Sequence, residues 1–138
     1  MNNQLSPHLQ FFFLCDEIVQ REDRQINVTG MLSHVLFTDA PLRMPPLHLT
    51  TKLVVGIYSA DRFRAYTLRV MMQESGEPED PLFNSQIGYI DGEYVPIKFQ
   101  TYDLTFLKPG VYWFNAYLDN RLVGRYPLAI DYAPMSNS

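Results

Sequence analysis

Apolar residues recur at every second position along most of the chain, and no long stretch holds the 3.6-residue period of an amphipathic helix. That alternation restricts the fold to strands with one buried face. From Ile26 the even positions read Ile26, Val28, Gly30, Leu32, His34 and Leu36. From Leu47 the odd positions read Leu47, Leu49, Thr51, Leu53, Val55 and Ile57. Between Arg64 and Gln73, Tyr66, Leu68, Val70 and Met72 share one face, opposite Thr67, Arg69 and Gln73. Leu9 to Val19 is apolar on both faces, which predicts a strand covered on both sides or one that crosses between sheets. Turn signals separate these runs. Ala40 to Pro46 carries three prolines and reads as an extended crossing connection. Ser75 to Pro81 reads as an acidic surface loop, and Asp91-Gly92 as a two-residue hairpin turn. About eight short strands at this spacing describe an all-β chain folded as an antiparallel β-sandwich.

The last two strands are the most informative. Tyr112, Phe114, Ala116 and Leu118 alternate with Val111, Trp113, Asn115 and Tyr117, and Leu122, Gly124, Tyr126, Leu128 and Ile130 follow at even positions. A three-residue loop (Asp119, Asn120, Arg121) pairs Leu118 with Leu122, Ala116 with Gly124, Phe114 with Tyr126 and Tyr112 with Leu128, keeping one face apolar. Turn chemistry pulls the other way, because Asp119-Asn120 suits a two-residue turn, which needs a bulge to hold the same register. The stretch Lys108 to Phe114 resembles the Gly-x-Tyr-x-Cys segment of immunoglobulin-like sandwiches, with Phe114 at the cysteine position. The resemblance implies that Tyr112 is a tyrosine-corner residue whose hydroxyl bonds upstream backbone.

A chain of 138 residues fits a single domain over 1–138, with a core of about 9–132 and short flexible termini. One cysteine, Cys15, leaves no internal disulfide framework and no Cys-based zinc site. The net charge of −4, without a Lys/Arg cluster, argues against a nucleic-acid or anionic-membrane partner. Phe11 to Leu14 is far too short an apolar run to span a bilayer, and Met1 to Gln10 has no Lys or Arg to serve as the positive region of a signal peptide. A cytoplasmic location is therefore expected.

Cys15-Asp16 followed by Ile18, Ile26 to Gly30, Pro41, Pro109 to Phe114, Leu118-Asp119 and Pro127-Leu128 carry a wider likeness. On these residues the chain, from roughly Leu9 to Tyr132, resembles a family of small uncharacterised bacterial proteins, a domain of unknown function with an all-β sandwich. Asp119-Asn120 stands where such proteins tend to have Asp-Gly. The resemblance implies the fold and carries no activity.

Chemistry-bearing residues are sparse. His8, His34 and His48 form no metal-ligand spacing, and His34 falls on the apolar parity of its strand, where a hydrogen-bonded core histidine is expected. Cys15 lies in a Phe-rich strand without a nearby base, the setting of a buried, inert thiol. No Asp-x-Asp cluster suits calcium, the loop acids at Glu77, Glu79 and Asp80 read as solvated, and no Gly-rich loop suits a phosphate. No cofactor, metal or catalytic residue is expected, and no enzymatic activity. What remains is aromatic. Trp113 and Tyr117 lie opposite the Tyr112/Phe114 face, with Asn115 and Arg125 as polar companions. If exposed, these four form a surface of interface character, since Trp and Tyr are enriched at binding hot spots; the alternative is that another strand, or the chain's ends, covers this face inside the monomer. The expected function is a non-enzymatic protein-interaction or self-associating module, most simply a homodimer. The alternative is a small-molecule or carbohydrate-binding domain that stacks its ligand on exposed aromatics.

Overall fold

The computed structural model describes residues 6–21, 26–37, 47–59 and 61–132, and through them runs an all-β chain. Its strands are β1 (His8–Gln20), β2 (Ile26–Leu32), β3 (His34–Phe37), β4 (Leu47–Tyr58) and β5 (Ala65–Glu74). They are followed by β6 (Glu79–Ile90), β7 (Glu93–Val95), β8 (Ile97–Phe106), β9 (Gly110–Leu118) and β10 (Arg121–Tyr132). Among the described residues there are ten strands rather than eight, arranged as a four-stranded sheet, β2-β1-β4-β8, over a six-stranded one, β3-β10-β9-β5-β6-β7. All pairs are antiparallel except β3 with β10. The central run β10-β9-β5, extended by β6 and β7, matches the G-F-C sheet of immunoglobulin-like sandwiches, and β4 and β8 match strands B and E of the other. Tyr112 confirms the kinship: its hydroxyl donates to the Lys108 carbonyl at 2.7 Å, closing the tyrosine corner ahead of β9. The expected flexible termini and the Ala40–Pro46 connection lie outside the described residues. No helix among the described residues is long and apolar enough to cross a membrane.

The β9–β10 hairpin satisfies both of its competing sequence signals. Asp119 and Asn120 both adopt positive φ (49° and 68°), the signature of a two-residue type I′ turn, so the expected three-residue loop is wrong. The register then shifts between Leu122 and Gly124, and Val123 is absorbed as a bulge. Beyond it Ala116 faces Gly124, Phe114 faces Tyr126 and Tyr112 faces Leu128, as the apolar pattern requires. Leu122 pairs with Tyr117 rather than Leu118. Asp119 is held in its left-handed conformation from outside the turn, since its Oδ1 accepts from Thr67 N and its Oδ2 pairs with Arg64 at 3.0 Å. Asp91 and Gly92 form the expected hairpin turn, also with positive φ.

The two sheets enclose Leu14, Leu53, Val55, Ile57, Tyr66, Leu68, Val70, Phe106, Phe114 and Leu118, all at most 2% exposed. At the β1–β10 side the sheets approach so closely that a Cβ on Gly124 would lie 2.2 Å from Leu9 Cδ1. A larger residue there would have to displace the Leu9 side chain. Phe11 and Phe13 lie outside the core, because a bulge between Leu9 and Phe11 resets the parity of β1. Phe12 and Leu14 point inward, Phe12 against Tyr126, while Phe11 and Phe13 contact each other at 5.9 Å. The ring of Phe11 occupies the space a Cβ would take on Gly56. The strand that changes sheets is also not β1. The run from Ile26 to Leu36 breaks at Ser33, so β2 pairs with β1 and β3 with β10. His34 is consequently no core histidine; its side chain is 51% exposed and its Nε2 lies 2.7 Å from the Asp131 carboxylate.

Two stability predictions follow from this packing. Phe114→Ala should lower the free energy of urea unfolding by about 3–5 kcal/mol, the cost of an unfilled aromatic site in a dense core. The Tyr102 hydroxyl is buried without a partner among the described residues, and burial pushes its pKa up to about 12. A tyrosine whose folded pKa exceeds its unfolded value of about 10 stabilises fully below that value, and the contribution is lost as pH rises toward the folded one. Tyr102→Phe should therefore leave the urea midpoint at pH 7 unchanged or higher. It should also flatten the decline in stability between pH 10 and about 12.

Candidate functional site

The outer face of the six-stranded sheet is built by rows of side chains that cross β10, β9, β5 and β6. Trp113 faces Pro127 on one side and Gln73 on the other, and Gln73 faces Glu79. In the next row Arg125 faces Asn115, which faces Met71, and beyond it Tyr117 faces Arg69. Because opposed residues on neighbouring strands share a face, the four residues singled out from sequence do come together. They bring Arg69, Gln73 and Glu79 with them, which sequence reasoning did not associate with the site.

The exposures differ from a bare aromatic patch. Trp113 and Tyr117 are half-buried, Asn115 is 2% exposed, and Arg125 stands out into solvent. The Arg125 guanidinium lies 4.2 Å from the centroid of the Trp113 ring, within range of a cation–π contact. Its Nε donates to Asn115 Oδ1 at 2.9 Å, so the group that covers the tryptophan is itself fixed. Asn115 Nδ2 donates to Gln73 Oε1 at 3.1 Å and to Glu79 Oε2 at 2.6 Å. The same Glu79 oxygen accepts from the Tyr117 hydroxyl at 2.8 Å, and this hydrogen bond, more than the burial around it, raises the Tyr117 pKa. Arg69 lies 5.2 Å from the Tyr117 ring centroid, its Nε buried without a partner among the described residues. Gln73 Nε2 reaches the Glu77 carbonyl at 3.0 Å. Glu79, expected as a solvated loop acid, is thus the first residue of β6 and the acceptor on which the network closes.

The other candidates lie elsewhere. Cys15 is fully buried in β1, and burial, with the neighbouring Asp16 carboxylate second, pushes its thiol pKa up. His48 is exposed on β4, 3.1 Å from Thr105 Oγ1. Among the described residues no three His, Cys, Asp or Glu side chains are grouped to hold a metal ion.

Residues 10–131 match the model of DUF6941, a family of unknown function. The chain belongs to that family. No curated protein matches it in sequence. Among solved structures it is similar to an immunoglobulin-like protein of Pseudomonas aeruginosa, at 10% identity and a TM-score of 0.47, covering 93% of this chain and 98% of that one. It is also similar to part of a β-glucosidase from Listeria innocua, at 10% identity and a TM-score of 0.48, covering 91% of this chain. The chain spans 16% of the length of that enzyme.

Asn115→Ala should cost about 1–3 kcal/mol in urea unfolding, because it removes the donor to Gln73 Oε1, one of the two donors to Glu79 Oε2 and the acceptor of Arg125. Arg125→Ala should leave the fold intact and shift Trp113 fluorescence to longer wavelength as the ring loses its cover. An unchanged emission maximum would show that Arg125 does not shield the ring in solution.

Proposed function

We propose that this DUF6941 protein is a non-enzymatic, cytoplasmic interaction module that pairs with a second copy of itself through the outer face of its six-stranded sheet. The observation that carries the reading is the network around Glu79 and Asn115. It ties down Tyr117 and Arg125 by hydrogen bonds, and Arg125 in turn lies over the Trp113 ring, which lowers the cost of ordering these side chains on association. Trp, Tyr and Arg are the residue types that dominate interface energetics. The face also carries both signs of charge, Arg69 and Arg125 beside Glu79, so a copy rotated by a two-fold axis offers it complementary groups. A thiol kept neutral by burial supports the non-enzymatic reading, and a lone free cysteine accords with a reducing compartment. Stacking of a sugar on Trp113 is the weaker reading, because the amides and the carboxylate beside the ring are spent on one another.

Sedimentation equilibrium of the wild type at micromolar concentration should return twice the chain mass of 16.0 kDa. Trp113→Asp and Arg125→Glu should each return a single chain mass with an unchanged circular dichroism spectrum. A monomeric wild type overturns the proposal, as does a dimer that survives both substitutions.

A further inference from the structure

A second surface, independent of the Trp113 face, has the opposite hydrogen-bonding character. At the end of the sandwich where the chain passes from β7 to β8, and so from one sheet to the other, lies a cavity of about 350 Å³. Its floor is apolar, made by Ile57, Val95, Pro96 and Ile97, and it is tied together by the Ile57 N–H donating to the Pro96 carbonyl at 2.9 Å. Its rim holds Gln10, Tyr58, Arg62, Glu93 and Tyr94. Tyr58 is 56% exposed, and the Arg62 guanidinium lies 4.8 Å from the centroid of Tyr94. Next to Arg62, Phe63 is 81% exposed, with its ring 5.7 Å from that of Tyr89. Apart from the Arg62–Tyr94 ring contact, these five rim side chains make no hydrogen bond or ion pair among the described residues. An amide, a carboxylate, a guanidinium and two phenols therefore surround an apolar floor with their hydrogen-bonding capacity directed to solvent.

We propose that this cavity is a binding site for a neutral saccharide. Three features select that chemistry. The rim charges, Arg62 and Glu93, are of opposite sign and favour neither an anion nor a cation. The exposed Tyr58 ring and the apolar floor suit the C–H face of a pyranose. The uncommitted donors and acceptors of Gln10, Arg62 and Glu93 suit its hydroxyls, much as small-molecule sites combine an apolar lining with a few polar groups. The volume lies at the low end of the range of about 300–1,000 Å³ for such sites, which fits a single ring with its substituents rather than an enclosed chain. Phe63 and Tyr89 would extend the platform for a neighbouring unit.

The test is a titration of the isotope-labelled protein with maltohexaose, cellohexaose and xylohexaose to millimolar concentration, read by amide chemical shifts. At least one sugar should produce saturable shifts at Tyr58, Arg62, Tyr94 and Ile97. Arg62→Ala and Tyr94→Ala should each weaken the affinity at least tenfold, whereas Trp113→Ala should bind as the wild type does. Arg62 is exposed, so its variant remains informative if Tyr94→Ala perturbs the fold. The proposal is overturned if no sugar gives saturable shifts, if the shifts map to the Trp113 face, or if Arg62→Ala binds equally well. Tighter binding of a free zwitterionic amino acid than of any sugar would overturn the ligand class. Because the dimer proposal is read from mass, either can fail without the other.

Discussion

The bulge at Val123 sets the two faces of β10 and, through its pairing with β9, the placement of both the core and the Trp113 surface. Side chains on a strand alternate with a period of two, so a slip of one residue would send an entire apolar set to the wrong face. The tight Asp119-Asn120 turn alone would impose that slip. The extra residue cancels it, and Phe114 then meets Tyr126 inside while Asn115 meets Arg125 outside. Thr67 and Arg64 on β5 and its approach hold the turn aspartate, so the hairpin tip is also locked to the third strand of the sheet. A similar irregularity in β1 turns Phe12 inward and Phe11 and Phe13 outward. Bulges, more than strand composition, decide which aromatics are core.

The two proposed surfaces differ in how their polar groups are used. Around Trp113, Glu79 accepts from both Asn115 and Tyr117, and Arg125 is held by Asn115 over the indole ring. Satisfied in this way, the network adds rigidity and leaves shape, aromatic area and a few charges to meet a partner. Around the Tyr94 cavity the polar side chains are not paired with one another, and the groups that would bind hydroxyls are available. The sandwich thus offers a preorganised flat face and a small concave one, on different strands and at different ends of its chemistry.

Much of this was legible before the fold was known. Alternation identified the inward set of β4, β5 and β9, turn chemistry identified the Asp91-Gly92 hairpin, and the resemblance to immunoglobulin-like sandwiches implied the tyrosine corner at Tyr112; each depends on neighbours within a few residues. Trp113, Asn115, Tyr117 and Arg125 were likewise recognisable as one face of a hairpin. Arg69, Gln73 and Glu79 were not, because they lie about forty residues away and only the strand order β10-β9-β5-β6 makes them neighbours. The signal was present in part: Arg69 and Gln73 occupy the polar parity of β5. His34 was misplaced for a related reason, as a break at Ser33 moved its strand to the other sheet, beside Asp131.

By itself, then, the sequence determined an all-β chain, the faces of its local strands and the chemistry of its turns, because backbone geometry and two-residue periodicity act over short distances. The tertiary structure alone decided which strands exchanged sheets, where bulges reset parity and which distant side chains met. It also decided that the guanidinium of Arg125 lies over the half-buried Trp113 ring. Those outcomes depend on competition between the turn, the register and close packing of two sheets, a competition that no local segment resolves.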